Sequence, residues 1–533
     1  MQAVNPKLKS KPADTPKAAP QRLFQVLLAV AYGIILLVAF FISYSKVFDE
    51  KIDLNGDDTS YYLLGKSLAE GKGYTNTYEL GTPPHNHLPP GYPAIIAVMC
   101  KLFNSDLGFI KHVNGFFLLA SIALLSLITW RVGRNIHITF LVALFSLLNA
   151  HMLEYSINTM SEVPFLFFSL LCIILALKTN YEKPVYKNLL FWLLIICLSF
   201  TYHVRTTGIS LLVGLLAFLL LRKKWMYALT SFLGFVVLAL PWYLRGKSLG
   251  GNSYLTQLMM KNPYRPELGK MGVGDVFVRF WTNLVRYFKF EIPSCFTGVK
   301  FANYDESSTG MVIAAGIMIE FIIVGLFMLK HKADNLFTFF ILSYFAILLL
   351  WPDVWVGIRF MLPLFPLLLF LMIYGVYGSL QWVFKKLNVK NEQRIMPFAM
   401  LAVGVCLIKP YTEPMKSLQY AAETDFPPTF RNYLDIAEWA KENTPDSSVI
   451  CCRKEEMFYL YSNRTTATFL RTLNTEEQLA YLQKSGIDYV VIDALGYTDV
   501  FRYLVPVVQK YKANFRKIKE FKAPNTYLLQ IVR

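Results

Sequence analysis

Two adjacent carboxylates, Asp57 and Asp58, stand just beyond the first apolar run of this 533-residue chain, in DLNGDDTSYYLLGKSLAEGKGY. A histidine pair and a proline-rich turn, HNHLPPGYP, follow at residues 85–93. A carboxylate at a membrane edge can take a proton from a hydroxyl carried by a lipid-borne substrate. It can also simply open a helix. Tyr61, Leu64 and Leu68 share one helical face, so an amphipathic helix begins at the acids. One acid would then be its N-cap, with the other favoured by the helix dipole. On spacing alone the two readings stand level.

Glu162, in NTMSEVPFLFF, opens a later apolar run. It reads as a first-turn acid with Ser161 as cap, or as a second carboxylate facing Asp57 across a cavity. Arg205 in TYHVRTTG and Arg359 in VGIRFMLPLFP sit at the mouths of apolar runs. One such arginine can snorkel to headgroups. Two beside a carboxylate pair point to a bound phosphate, which the guanidinium fork fits. His85 and His87 precede Pro89-Pro90-Gly91-Tyr92-Pro93, whose prolines fix the backbone. His87 can hydrogen-bond a phosphate or join the acids around a metal ion, whereas His85 reads as a surface-loop residue. Arg265 and Lys270 lie in NPYRPELGKMG. Residues 276–290 form an aromatic-rich amphipathic segment, expected as an interfacial helix over a lipid-substrate groove.

The elements that must position these groups are membrane helices. The chain is 55% hydrophobic and 17% charged, too apolar for a soluble protein of this size. Eleven spans are expected, near 23–46, 109–132, 137–155, 162–178, 187–203, 207–222, 225–243, 311–330, 335–351, 357–382 and 394–410. The run 92–103 is too short to cross and is expected as a half-helix. With the N-terminus cytoplasmic, every inside loop is basic. These loops carry Arg131 and Arg134, Lys178, Lys183 and Lys187, Arg222 to Lys224, Lys330 to Lys332, and Lys385 to Arg394. That accounts for the net charge of +17 without nucleic acid. The seven cysteines contain no C-x-x-C and form no metal pattern.

This topology predicts a disordered cytoplasmic tail over 1–22 and a transmembrane domain over 23–410. Its first loop, 47–108, and its long loop, 244–310, are exoplasmic. A soluble exoplasmic α/β domain follows over 411–533. Its helices are expected at 430–443, EEMFYLYSN, TEEQLAYLQKSG with a Thr-x-x-Gln capping box, and DVFRYLVPVVQKY. Its strands are expected at SSVICC, TATFL, IDYVVID, KIKEF and TYLLQIV.

The ordered set of motifs resembles the GT-C superfamily of polyprenyl-phosphate-sugar glycosyltransferases. The likeness is closer to the branch of protein O-mannosyltransferases and the lipid A aminoarabinose transferase. The acid pair of the family's D-E/D-x-x-Y context is here Asp57-Asp58-Thr59-Ser60-Tyr61. The position before the Pro-Pro turn is His87, where relatives often carry Lys. The N-T-x-x-D/E-x-P pattern is Asn158 to Pro164, with one extra residue before Glu162. The R-Y/F-x-L-P pattern is Arg359 to Pro363. The resemblance implies an inverting transfer of a sugar from a polyprenyl-phosphate donor to a hydroxyl on a lipid, glycan or protein. It implies a multi-pass protein of the cell (inner) membrane with its active site outside. Asp57 would be the base, with Asp58 and Glu162 orienting substrate or base. His87, Arg205, Arg359, Arg265 and Tyr62 would form the phosphate and donor set. No cofactor is required, and a divalent cation is compatible with the chemistry. A lipid-linked glycan flippase and a non-catalytic surface-assembly protein are the competing classes.

Overall fold

A bilayer core offers backbone N–H and C=O groups no water, so apolar runs that enter it must close their hydrogen bonds as helices. The computed structural model describes residues 18–53, 57–104, 106–251, 253–300, 308–329 and 336–533. Helix α1 (Ala18–Val47) starts inside the stretch expected as a disordered tail. The rest of that tail, residues 1–17, and the basic loop Lys330 to Lys332 lie outside the described residues.

Two short helices, α2 (Asp57–Ala69) and α3 (Gly91–Phe103), precede α4 (Leu107–Gly133). At 13 residues, α3 is about 20 Å long and is the half-helix expected there. The expected span 137–155 is instead two helices, α5 (Ile136–Leu147) and α6 (Ala150–Ser156), bent by 59°. Asn149 causes the break: its side chain accepts from the N–H groups of His151 and Met152, capping a new helix. Next come α7 (Glu162–Lys178), α8 (Leu189–Val204), α9 (Ile209–Leu221) and α10 (Trp225–Ser248). The long loop holds α11 (Ser253–Leu258), α12 (Val273–Arg286) and α13 (Ile292–Thr297). Helices α14 (Thr309–Leu329), α15 (Leu336–Leu350), α16 (Phe365–Lys386) and α17 (Glu392–Glu423) complete the helical region.

Among the described residues, six helices are long and apolar enough to cross a membrane: α1, α4, α10, α14, α16 and α17. The bent pair α5–α6 makes a seventh. The other four expected spans are the shorter α7, α8, α9 and α15. Large apolar side chains such as Phe116, Ile196, Val237, Phe327 and Phe398 face outward, as lipid contact requires. Helices α14 and α16 approach through glycine. A Cβ on Gly375 would lie 1.9 Å from the Phe321 carbonyl oxygen, and one on Gly325 2.1 Å from that of Leu371.

Helix α12 is amphipathic as expected, but its buried face is the polar one. Arg279, Asn283 and Arg286 are buried, while Val273, Phe277, Val278 and Trp281 are exposed. Asn283 donates to the Trp351 carbonyl at 2.8 Å and Arg286 to that of Asp353 at 2.7 Å. The helix therefore pins the α15–α16 loop and turns its apolar side outward.

The C-terminal domain begins later than expected. Helix α17 runs through Pro410 and Pro414 to Glu423, carried past both by the packing of buried Tyr411 against Phe145. The domain comprises α18 (Pro428–Asn443), β1 (Val449–Cys451), α19 (Glu455–Ser462), β2 (Thr465–Ala467), α20 (Thr475–Lys484) and β3 (Tyr489–Ile492). It ends with α21 (Val505–Lys510), β4 (Phe515–Phe521) and β5 (Thr526–Ile531). Strand order is β2-β1-β3-β5-β4, with β1 parallel to β2 and β3 and the other pairs antiparallel. The cap of α20 is Asn474, which accepts from the N–H groups of Glu476 and Glu477, rather than Thr475. The first loop extends the sheet edge: Thr466 donates to the Tyr78 carbonyl and accepts from the Leu80 N–H, each at 2.8 Å. Arg502 binds Glu267 of the long loop at 2.8 Å. These ties hold the domain over one end of the helical bundle.

Candidate active site

The site is built on an irregular stretch between α6 and α7. Asn114 of α4 donates to the carbonyls of Asn158 and Met160, at 2.6 and 2.9 Å, and accepts from the Tyr92 hydroxyl. This buried amide satisfies backbone that leaves the helix and fixes where α7 begins. Ser161 sits at the N-cap of α7, but its side chain makes no cap bond. Its hydroxyl instead meets the Tyr61 hydroxyl and Arg205 Nη1, both at 2.9 Å.

Glu162, fully buried, is the centre of a charge chain. Its Oε1 lies 2.7 Å from Arg205 Nη1 and 2.9 Å from Arg359 Nε. Arg359 Nη1 reaches Asp57 Oδ2 at 2.7 Å. Arg205 stands in the extended turn after α8. Arg359 stands in a 3-10 turn before α16, after Gly357, whose φ of 123° favours glycine. Four separate segments thus converge on one cluster.

Asp57, Arg205 and Arg359 of this chain line a cavity of about 630 Å³, and Glu162 stands behind them, outside the lining. Tyr61 and His87 line the cavity too. Asp57 keeps 38% of its side chain accessible there. Burial acts to raise its pKa, but Arg359, Lys454 and His87 outweigh it and hold the carboxyl below its usual value. Burial pushes the His87 imidazole down, helped by Arg359 and opposed by Asp57.

Three expected site residues are elsewhere. Asp58 is buried outside the cavity lining: its carboxylate accepts from the Asp53 N–H at 2.7 Å and the Thr59 N–H at 2.6 Å. It ties the first loop to α2, because adjacent residues on a helix point about 100° apart. Tyr62 is buried away from the cavity, and Arg265 is exposed on the long loop, while its neighbours Pro263 and Tyr264 line the wall. His85 is not a surface residue. Its Nε2 accepts from the Leu88 N–H and its Nδ1 then donates to Asn76, each at 2.7 Å. Burial pushes its pKa down to about 3.

Other lining residues escaped the sequence reading. Arg453, Lys454, Arg471 and Tyr497 come from the C-terminal domain, and His151, Glu154, Ser294 and Lys300 from the bundle side. Six cationic side chains line the cavity against the carboxylates of Asp57 and Glu154, so the space favours an anion. The signal for the first group was position: basic residues follow strands of a partly parallel sheet, where such sheets bind ligands. Among the described residues, no group of three or more His, Cys, Asp or Glu is placed to hold a metal ion. Asp57 and Glu162 are both engaged by Arg359.

No family model matches the chain, and no curated protein matches it by sequence. Solved structures do match. One is the oligosaccharyltransferase AglB from Archaeoglobus fulgidus, in complex with an inhibitory peptide and a dolichol-phosphate. It is 13% identical with a TM-score of 0.59, over 96% of this chain and 75% of that one. The same oligosaccharyltransferase in complex with Zn and sulfate gives 0.60 at 13% identity, over 93% and 72%. ArnT from Cupriavidus metallidurans, bound to undecaprenyl phosphate, gives 0.56 at 11% identity, over 95% and 98%. The chain is a multi-pass membrane protein with the fold of the GT-C glycosyltransferases and a small C-terminal sheet domain.

Proposed function

We propose that the chain transfers a sugar from a polyprenyl-phosphate donor to an acceptor hydroxyl on a lipid, glycan or protein, with inversion at C1. The transmembrane part, 23 to about 423, lies in the cell's inner membrane, and the cavity and the C-terminal domain face the exoplasm. The observation that carries the reading is the ion-pair chain Asp57–Arg359–Glu162–Arg205 beside a cationic cavity. Fold partners that bind dolichol-phosphate or undecaprenyl phosphate support the donor class.

In this reading Asp57 accepts the acceptor's proton as its oxygen bonds to C1. The C1–O bond to phosphate breaks, and the phosphate leaves with the electron pair. A phosphate leaving group needs no strong general acid, only cations for its charge. Arg359 has five N–H donors, more than Asp57 and Glu162 consume, so a phosphate oxygen can share it. Glu162 holds both arginines in place. Purified protein given a panel of polyprenyl-phosphate sugars should release polyprenyl phosphate and form a glycosylated acceptor with at least one. Movement of intact donor across vesicles, with no release of polyprenyl phosphate from any, would replace transfer with lipid transport.

A further inference from the structure

The basic residues of the C-terminal domain are not scattered. Arg453 and Lys454 come after β1 with Cys452 between, Arg471 lies in the segment after β2, and Tyr497 in the segment after β3. These are the carboxyl ends of the three mutually parallel strands, the edge at which α/β sheets hold ligands. All four side chains line the cavity. The Arg453 guanidinium lies 4.7 Å, and Lys454 Nζ 5.0 Å, from the centre of the Tyr497 ring. Arg453 Nε is 2.7 Å from Asp499 Oδ2, and Arg471 Nη2 is 3.7 Å from the same oxygen.

The acids that accompany these cations do not balance them within the cavity. Asp499 serves two arginines. Asp499, Asp493, Glu455 and Glu456 are all outside the lining, whereas Arg453, Lys454 and Arg471 are in it. Lys454 and Asp57 line the same cavity, so the cluster and the proposed base share one space. The three cations thus face one cavity whose lining carboxylates, among the described residues, are Asp57 and Glu154 alone, a surface that attracts an anion.

We infer that Arg453, Lys454 and Arg471, backed by Tyr497, form a second anion subsite that takes a phosphate group of the sugar acceptor. The acceptor assignment rests on the transferase reading above; the existence of the subsite does not. Bound there, the acceptor's phosphate sits on the soluble domain while its hydroxyl faces Asp57. The donor's phosphate stays with Arg205 and Arg359 at the helix ends. The acceptor is thereby a phosphorylated molecule, and the C-terminal domain is what selects it.

The test uses the full chain in lipid nanodiscs, first saturated with undecaprenyl phosphate and then titrated calorimetrically with inorganic phosphate. The parent should still bind inorganic phosphate. Arg453→Gln/Arg471→Gln should weaken that binding by about tenfold or more, and Arg471→Gln alone by about threefold. Arg471→Lys should restore most of it. Undecaprenyl phosphate affinity should change less than about twofold in all three. Arg471 is 39% exposed, so its Gln variant keeps the test open should the double variant unfold. The inference is overturned if the saturated parent binds no inorganic phosphate. It is overturned equally if Arg471→Gln binds it like the parent, or if the variants lose both ligands in parallel, which would assign the cations to the donor. Sugar transfer is not read at any stage, so failure here leaves the Asp57 assignment standing, and the converse holds.

Discussion

Replacing Glu162 with Gln keeps the shape of the side chain and removes the charge that two arginines share. The carboxylate has no exposed surface, and its Oε1 lies within 2.9 Å of both guanidinium groups. Breaking a buried ion pair costs ~3–5 kcal/mol, because the remaining charge is left without compensation. Arg359 would keep Asp57 at 2.7 Å and is 22% exposed. Arg205 would keep its bond to the Ser161 hydroxyl and is 11% exposed. Most of the loss therefore falls on Arg205, and about 3 kcal/mol, the lower end of that range, is expected. Denaturant unfolding in detergent of Glu162→Gln, Arg205→Gln and the double variant reads it. The double variant should fall short of the summed losses by about 1–3 kcal/mol, since removing both partners leaves no orphan charge. Losses that add to within ~0.5 kcal/mol would refute the charge chain as a unit.

Arg359, Lys454 and His87 together outweigh burial and hold Asp57 below its usual pKa, so its folded value lies under the unfolded one. The stability this contributes is complete above about pH 4 and is lost as pH falls through the folded value; the acid limb of transfer should sit there too, and Lys454→Gln should move it upward. For Asp58, burial, reinforced by Asp53, pushes the carboxyl up to about 7. The parent therefore loses stability as pH rises from about 4 to 7. Asp58→Asn leaves one backbone N–H facing an amide N–H and should cost ~1–3 kcal/mol at pH 4, a deficit that shrinks toward pH 7. Gly91→Ala would put a Cβ 2.6 Å from the backbone of His203 and Val204, which cannot yield as a side chain would. A loss of ~1–3 kcal/mol in unfolding measurements, with weakened transfer from displacement of the His87 turn, is expected.

The helices were legible because the apolar runs are long and the bilayer leaves the backbone no alternative. The grouping of Asp57, Glu162, Arg205 and Arg359 was legible from loop charge alone, since topology fixes which ends lie together. What was not legible depended on rotation or tertiary context. Asp57 and Asp58 are equivalent by spacing, and only the helix rotation sends one to the cavity and the other into the first loop. The polar face of α12 is buried because the α15–α16 loop offers it carbonyls, which no periodicity within 276–290 reveals. Asn149 lies inside the expected span 137–155, yet it ends one helix and caps the next. Arg453, Lys454 and Arg471 carry no motif, and only the strand order places them at one sheet edge.

The central claim is that Asp57 removes the acceptor's proton during transfer from a polyprenyl-phosphate sugar. Single-turnover transfer by Asp57→Asn, with polyprenyl phosphate binding measured on the same preparation, tests it most directly. The rate should fall by about 10²–10⁴-fold, the usual contribution of a general base, while binding changes by no more than a few-fold. Transfer at the parental rate with binding intact would contradict the account.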